Sequence, residues 1–344
     1  MRVQRRSRSV TRLVLTIVSA SAALGMPLGA QSPTLSQRIQ SIVDRPEFRH
    51  ALFGIEFYSL DSRKAIYSLN ADKLFVPAST TKLFTEGTAL ELMGADYRFH
   101  TRVYRTGTLE PDGTLDGDLV LVASGDPDLS ARVRPDGTLA FENEDHAYDG
   151  DPHTRAVPGD PLLIIRKLAA QVKAHGVTRI TGRVLVDASL FEGGDRDLGT
   201  GLVISPIVVN DNIVDLMIGG GSAAGAPAVI EASPSTSYAR FVNKVTTSAA
   251  GSRPHIHFGG DTPDGSGLHT VTIEGSAPAG QAPILYAYAV PDPARFAEVT
   301  LAEALREAGV SVPALATAAP VNVAALKASY TAENIVAEHV SPPL

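Results

Sequence analysis

The chain has 344 residues, 44% of them hydrophobic, which is enough to bury a substantial core and to form two domains. Its formal net charge is −7 and no basic cluster follows the N-terminus, so nucleic acid is excluded as an expected partner. The absence of cysteine excludes disulfide frameworks and thiolate metal sites.

The first thirty residues have the pattern of an export signal. A basic stretch, MRVQRRSR, precedes an apolar run at 13–24 that is too short to span a bilayer as a helix. Small residues around Ala30 then offer a cleavage site before Gln31. We expect residues 1–30 to be a signal peptide, with a retained membrane anchor as the alternative. The mature protein has no second apolar run long enough to cross a membrane, and we expect it in the periplasm or outside the cell.

The next segment predicts a helix, a β-hairpin and a second helix. Alternating apolar residues at 53–57 and a short apolar run at 65–69 flank a polar turn at 61–64, which is typical of paired strands. Residues 80–93 follow with the pattern of an apolar helix, and Gly94 stands where such a helix ends. Helical spacing before the hairpin is given by Leu35, Ile39, Ile42 and Val43.

Residues 97–288 have a different character, with short β-like runs separated by turns. Pro-Asp-Gly, a good turn former, recurs in this stretch, and strands are predicted at 119–123 and 183–186. One clear helix, at 162–175, stops at Gly176. The stretch predicts a separate, mostly β module.

Ser79 and Lys82, at the predicted start of the second helix, are the candidate catalytic pair. Residues three apart share one face of a helix, so the lysine amine can reach the serine hydroxyl. The first turn also places the serine at the positive end of the helix dipole, and a lysine with a lowered pKa can act as its base. From spacing alone the alternative is a chance pair, in which Ser79 caps the helix and Lys82 points to water. The order of hairpin, proline, serine and apolar helix favours the catalytic interpretation.

Several stretches, together with the hairpin, carry a resemblance to a known family. They are PASTTKLFT (77–85), LVASGDPDLS (121–130), VDASLFEG (186–193), PIVVNDNIVDLMI (206–218) and VPDPARFAEVTLAEALREAGV (290–310). The chain resembles the penicillin-binding serine acyl-enzymes, and more narrowly the D-alanyl-D-alanine carboxypeptidase/endopeptidase family, the class C low-molecular-mass penicillin-binding proteins of peptidase family S13. The resemblance covers nearly everything after residue 31.

The resemblance implies an α+β fold. It would be a partial transpeptidase domain of the penicillin-binding-protein/β-lactamase type, with a large β-rich module inserted after the Ser-x-x-Lys helix. Residues 31–96 would form the N-terminal part of that domain, 97–288 the inserted module, and 289–344 a return segment. The return segment contains a further predicted helix, which Asp292 and Pro293 open.

The same resemblance implies the activity and the site. Ser79 is the acylated nucleophile and Lys82 its proton acceptor, in a serine peptidase that hydrolyses D-Ala-D-Ala ends or cross-links of peptidoglycan. Stem peptides are then the substrates, β-lactams are acylating inhibitors, and no metal or organic cofactor is required. Asp187 matches an acidic position of the module that helps to bind the free amine of the stem peptide; a strand-end aspartate that caps a turn is the alternative.

Two further motifs of the family, Ser-x-Asn and Lys-Thr-Gly, should follow the module and do not. SLN at 68–70 precedes the module, RTG at 105–107 lies inside it, and NDN at 210–212 lacks the serine and predicts a turn at the start of a strand. We therefore expect a C-terminally truncated chain in which the Ser79 helix exposes apolar surface. We also expect poor acylation, because one oxyanion donor is worth about 10²–10³ in turnover.

Other functions are compatible with parts of this pattern. A non-catalytic remnant, acting as a periplasmic binding or scaffold protein, is the alternative that the absent motifs favour. A β-lactamase would share Ser-x-x-Lys, but those enzymes run from the nucleophile helix straight into a compact helical region.

The histidines predict no metal site. His255 and His257 stand at i and i+2 of a predicted strand, without a third ligand near them in sequence. His146 and His153 lie among aspartates in a segment that predicts a solvated polar loop.

Overall fold

The computed structural model describes residues 32–130, 134, 136, 138, 140–315 and 322–343. The predicted signal peptide at 1–30 lies outside the described residues. By the contacts between residues the chain divides into two units, one up to Glu86 and one from Gly87 on. Within the described part of the chain, no helix combines the length and the apolarity that crossing a membrane requires.

The first unit contains the predicted helix and hairpin. Helix α1 (Leu35–Val43) is followed by strands β1 (Ile55–Ser59) and β2 (Lys64–Leu69), which pair antiparallel. The side-chain amide of Asn70 donates to the carbonyl of Phe53 at 2.8 Å and closes the open end of the hairpin. Both elements are therefore confirmed where the sequence predicts them.

Helix α2 (Thr81–Met93) follows a short 3₁₀ turn, Ala78–Thr80, and continues past residue 86. It ends at Gly94, whose φ of 85° lies in the left-handed region that glycine adopts without steric cost. The helix predicted at 80–93 is confirmed, with its first turn tightened into the 3₁₀ turn that carries Ser79.

The second unit is rich in β-structure. Its described strands are β3 (His100–Arg105), β4 (Thr108–Leu109), β5 (Thr114–Asp116), β6 (Leu119–Val122), β7 (Arg179–Ile180), β8 (Val184–Asp187), β9 (Ile213–Gly219), β10 (Val229–Ser233), β11 (Ala239–Ser248), β12 (His255–Pro263), β13 (His269–Pro278), β14 (Ile284–Ala289) and β15 (Ile335–Val340). They form sheets with the strand orders β15-β3-β6-β8, β4-β5-β7, β10-β9-β14 and β11-β13-β12. The strands predicted at 119–123 and 183–186 correspond to β6 and β8, which run parallel to each other.

Two helices cover the four-stranded sheet of the second unit. Helix α3 (Leu163–Ala174) packs against β15, helix α4 (Pro293–Glu307) packs against β8, and the two helices pack against each other. Asp292 begins α4 by accepting a hydrogen bond from the Arg295 N–H at 3.0 Å, and a short helix, α5 (Val323–Leu326), lies further along the chain. Both longer helices are confirmed close to their predicted positions.

Strand β15 belongs to the predicted return segment and pairs antiparallel with β3, with Val340 opposite His100. The segment therefore contributes an edge strand to a sheet whose other strands lie within 97–288. The predicted boundaries at 97 and 289 remain a prediction.

A tight turn precedes β9. Asn210, Asp211 and Asn212 have φ values of 49°, 53° and 56°, a left-handed conformation that asparagine and aspartate tolerate better than most residues. The Asn212 amide donates to the carbonyl of Ile207 at 3.1 Å and its oxygen accepts from the Val209 N–H at 3.2 Å. The turn predicted from NDN at a strand start is confirmed.

Candidate active site

Ser79 lies in the 3₁₀ turn that leads into α2. The Thr81 N–H donates to the carbonyls of Ala78 and Ser79, and the Thr80 N–H donates to the carbonyl of Pro77 at 3.0 Å. Ala78 has a φ of 44°, in the left-handed region that costs a residue with a β-carbon roughly 1–2 kcal/mol. The turn thus presents the serine from a strained backbone, a feature that is common at reactive sites.

Lys82 and Ser79 are in direct contact. The Lys82 Nζ donates a hydrogen bond to the Ser79 Oγ at 3.0 Å, because residues three apart on a helix share one face. Both residues are exposed. At this distance a proton can pass between the hydroxyl and the amine without any rearrangement of the backbone.

The helix behind the pair exposes apolar side chains. Leu83 is 71% exposed, Phe84 75% and Leu92 79%. The expectation that the Ser79 helix exposes apolar surface is confirmed, and apolar side chains at this density on one short helix are unusual for a surface that meets only water.

Asp187 lies at the end of β8 and is 2% exposed. One carboxylate oxygen accepts from the Ser189 N–H at 2.9 Å, and the other accepts from the Tyr330 hydroxyl at 2.9 Å. Burial and this hydrogen bond raise the pKa of the Tyr330 hydroxyl, so the tyrosine keeps its proton. These contacts are those of a buried aspartate that caps a turn; recognition of an amine by Asp187 remains a prediction.

The family-like triplets outside the active-site helix take part in local structure. Ser68 and Leu69 lie in β2, and the Arg105 guanidinium donates to the carbonyl of Gly107 just after β3. Asn210 donates to the carbonyl of Ile213 at 3.0 Å. Each of the three triplets therefore has a role in local structure.

The interpretation of His146 as part of a solvated loop is wrong. Its side chain is buried, with Nδ1 2.9 Å from Asp215 Oδ1 and Nε2 2.9 Å from Asp211 Oδ2. Burial alone would lower the pKa of His146, but the hydrogen bonds and negative charges of the two aspartates outweigh it and raise the pKa to about 9. The partners lie 65 and 69 residues along the chain, so no local sequence signal joins them. His153 is exposed, as predicted.

Two groups of described residues bring three possible metal ligands together: Glu144, Asp151 and His153 in one, and Asp145, His146 and Asp211 in the other. All members of the first group are exposed, whereas the second is centred on a buried histidine. His255 and His257 lie on β12 and belong to neither group.

In this α+β chain a hairpin is followed by a helix with a serine at its start, and a lysine of that helix donates a hydrogen bond to the serine. This arrangement resembles that of the penicillin-binding serine acyl-enzymes. The profile of the D-Ala-D-Ala carboxypeptidase 3 (S13) family matches residues 35–344, and the chain belongs to that family.

Curated relatives agree with this assignment. The D-alanyl-D-alanine carboxypeptidase of Actinomadura sp. (strain R39) is 28% identical over 98% of this chain and 57% of the relative. The D-alanyl-D-alanine carboxypeptidase DacB of Haemophilus influenzae is 26% identical over 41% of this chain and 23% of the relative.

Solved structures of penicillin binding protein 4 (dacB) from Haemophilus influenzae share the fold. One superposes with a TM-score of 0.56 at 18% identity, over 84% of this chain and 56% of that chain. Another, complexed with a novel β-lactam, superposes with a TM-score of 0.54 at 16% identity, over 84% of this chain and 55% of that chain. The predicted α+β fold is therefore confirmed. The chain spans little more than half the length of the Actinomadura relative and of the solved penicillin binding protein 4 structures.

Proposed function

We propose that the protein carrying this chain is a serine D,D-peptidase that hydrolyses D-Ala-D-Ala ends or cross-links of peptidoglycan through an acyl-Ser79 intermediate. The observation that carries the proposal is the 3.0 Å hydrogen bond between Lys82 Nζ and Ser79 Oγ at the start of α2. Membership of the S13 family supports it, as does a relative named D-alanyl-D-alanine carboxypeptidase that aligns with nearly the whole chain.

The proposed reaction has two steps. In the first, the neutral Lys82 amine takes the Ser79 hydroxyl proton while Oγ attacks the carbonyl carbon of the penultimate D-alanine, and the terminal D-alanine leaves as an amine that takes up a proton. In the second, water attacks the ester, and the serine recovers its proton as the shortened peptide leaves. The pair uses no metal or organic cofactor in either step.

A β-lactam would enter the same first step. Its strained ring amide opens when Oγ attacks, but the leaving nitrogen stays attached to the acyl group and remains in the site. Hydrolysis is then slow and the serine stays blocked, so β-lactams are proposed as acylating inhibitors. A structure of the related penicillin binding protein 4 with a β-lactam supports this assignment.

Asp187 is proposed to contribute to recognition of the amine of the stem peptide, in line with the position it matches in the family. Its charge is held at the end of β8 by two hydrogen bonds. Peptidoglycan as substrate and the signal-like N-terminus together support a location in the periplasm or outside the cell.

The proposal is tested by labelling the protein as the cell makes it, rather than residues 31–344 alone, with a fluorescent penicillin. We expect one covalent label per chain, recovered by mass spectrometry on the peptide that contains Ser79. Ser79→Ala should remove the label. Ser68→Ala changes the exposed serine of the SLN triplet at 68–70 and should keep the label.

A second assay follows D-alanine release from a peptide that ends in D-Ala-D-Ala. Protein that releases no D-alanine and takes no label at native length would contradict the proposal and favour a non-catalytic binding or scaffold protein. A label that persists in Ser79→Ala would show that another residue is the nucleophile.

A further inference from the structure

A cavity of about 260 Å³ in the second unit has a polar floor and an apolar wall. Its polar lining comes from Ser130, Asn210, Asp215 and Ser233, and the rest comes from the loop at 156–161. A single water needs about 10–15 Å³ on the same scale, so the cavity has room for a small organic group. The proposed acyl transfer and the proposed recognition of the stem-peptide amine use none of these residues.

The floor of the cavity consists of buried side chains that the fold holds in place. Asn210 is 5% exposed and Asp215 is 6% exposed. The Asn210 Nδ2 donates to the carbonyl of Ile213 at 3.0 Å and to Asp215 Oδ2 at 3.2 Å. The other carboxylate oxygen of Asp215 lies 2.9 Å from His146 Nδ1. These contacts fix both floor residues, so a ligand does not have to order them when it binds.

The amide of Asn210 offers the cavity an acceptor. Its Nδ2 is used by Ile213 and Asp215, and no residue in the described part of the chain donates to its Oδ1. A buried acceptor without a protein partner costs free energy unless a water or a ligand supplies the hydrogen. The floor therefore favours a ligand that brings an N–H or O–H donor.

Asp215 gives the floor a second acceptor. An ionised carboxylate only accepts hydrogen bonds, and its two oxygens have room for more than the two contacts that they make here. Its charge already faces a partner, because His146 lies within ion-pair distance. A neutral donor group is therefore sufficient for this floor, and the ligand does not have to be a cation.

The rest of the lining supplies two further kinds of group. Ser233 is exposed at the end of β10, and its hydroxyl can donate as well as accept. Val157 and Pro158 add aliphatic carbon from the loop at 156–161, where proline restricts the backbone. Acceptors, a hydroxyl and an aliphatic wall match the three parts of an acetamido group, which are its N–H, its carbonyl and its methyl.

We propose that this cavity binds the acetamido group of an N-acetylated amino sugar. The acetamido N–H donates to the floor formed by Asn210 and Asp215, the carbonyl accepts from the Ser233 hydroxyl, and the methyl packs against Val157 and Pro158. Glycan strands of peptidoglycan consist of such sugars, so the site would hold the polymer whose peptides are cleaved. That link alone rests on the proposed function; the chemistry of the cavity does not.

The test uses the protein as the cell makes it, with N-acetylglucosamine as the probe. Saturation-transfer NMR should show the acetyl methyl in contact with the protein, and a titration gives the dissociation constant. Glucosamine and glucose lack the acetyl group and should bind at least about tenfold more weakly, since they lose the amide hydrogen bonds and the methyl contact. Ser233→Ala should raise the dissociation constant about 3–10-fold through loss of one hydrogen bond.

Two further variants test the position of the sugar. Val157→Phe places a larger side chain in the cavity and should remove binding. Ser235→Ala changes an exposed serine that does not line the cavity and should bind as the wild type does. Both variants, and Ser233→Ala, should label with penicillin as the wild type does, so failure of sugar binding is distinguishable from failure of acylation.

Measurements on the wild type and at the exposed Ser233 keep the test independent of whether Val157→Phe folds. No detectable binding of N-acetylglucosamine by the wild type would overturn the proposal. Equal affinity for glucosamine would also overturn it, because the acetyl group would then play no part. Wild-type affinity in both Ser233→Ala and folded Val157→Phe would place the sugar elsewhere.

Discussion

Lys82 donates a hydrogen bond to Ser79 from one turn further along α2, and the two atoms are 3.0 Å apart. Ala78, just before the serine, adopts a left-handed backbone that turns the chain into the helix. The contact needs no bound substrate, so the amine already lies within reach of the serine hydroxyl; as a base it would accept the hydroxyl proton instead of donating to Oγ. Its chemistry therefore depends on whether the amine acts as a base or only as a positive charge.

Lys82→Arg separates these two roles. Arginine keeps the positive charge but stays protonated at any accessible pH, so it cannot accept the serine proton. We expect both Lys82→Arg and Lys82→Ala to slow acylation by a penicillin by about 10²–10⁴-fold, the usual range for loss of a general base. The measurement is the acylation rate constant of native-length protein from time-resolved labelling. Near wild-type acylation by Lys82→Arg would show that charge alone suffices.

Asp187 is expected to distinguish peptides with a free amine from those without one. Asp187→Asn keeps the shape and the acceptor for the Ser189 N–H but removes the charge. If the charge binds the stem-peptide amine, kcat/KM should fall about 10–100-fold for a free-amine peptide and much less for its acetylated form, since hydrogen bonds to charged groups are worth about 1.5–3 kcal/mol.

Tyr330→Phe is the control for that experiment. It removes the other hydrogen bond to the Asp187 carboxylate while the charge stays in place. Selectivity for the free amine should survive in this variant. Equal losses for both peptides in Asp187→Asn would instead show that Asp187 acts only as a turn cap.

The elements that could be predicted from the sequence are those with local signals. The helix of Ser79 is bounded by a proline before it and by Gly94 after it, and the Ser79–Lys82 contact follows from three-residue spacing. Helix α4 is signalled by Asp292 and Pro293, and the aspartate caps the helix as expected.

The features that could not be predicted depend on distant parts of the chain. His146 meets Asp211 across 65 residues, and Tyr330 meets Asp187 across 143. Neither the acidic loop around His146 nor the valine-rich run of β8 signals its partner, because burial is decided by tertiary packing. Polar composition predicted a solvated His146 for this reason, and the prediction failed.

Asn212 is expected to be important for stability, since it holds the turn before β9. It is 2% exposed, has a φ of 56°, and bonds the backbone of both Ile207 and Val209. Asn212→Ala leaves buried backbone groups without their partners. It also places alanine in a left-handed conformation that asparagine tolerates better, so we expect the free energy of unfolding to fall by about 2–4 kcal/mol.

Asn212→Gly separates the two causes. Glycine also removes the side-chain hydrogen bonds but adopts the left-handed conformation without strain, so it should be roughly 1–2 kcal/mol more stable than the alanine variant. Urea unfolding of the three proteins measures both differences. Equal stability of the alanine and glycine variants would mean that the backbone conformation at 212 carries no strain.

Glu338 on β15 is expected to make stability depend on pH. Burial alone would raise its pKa, but hydrogen bonds from His100 and Arg102 outweigh burial and hold the pKa of Glu338 below its usual value. The unfolded chain therefore takes up the proton first as pH falls. The stabilisation is fully present above the unfolded pKa of about 4.5 and is lost as pH falls through the lower folded pKa.

Glu338→Gln tests whether stability depends on pH in this direction. The Glu338 side chain is 33% exposed, so screening by solvent limits the expected loss near pH 7 to roughly 0.5–1 kcal/mol, and the loss should shrink as the pH falls below about 4. Urea unfolding at several pH values gives the difference between the two proteins. His100→Gln, the matched control, keeps the bond between Arg102 and Glu338 at 2.7 Å and should retain part of the pH dependence. If the difference in unfolding free energy between the wild type and Glu338→Gln stays constant from pH 7 into the acid range, the effect comes from packing of β15 rather than from the charge of Glu338.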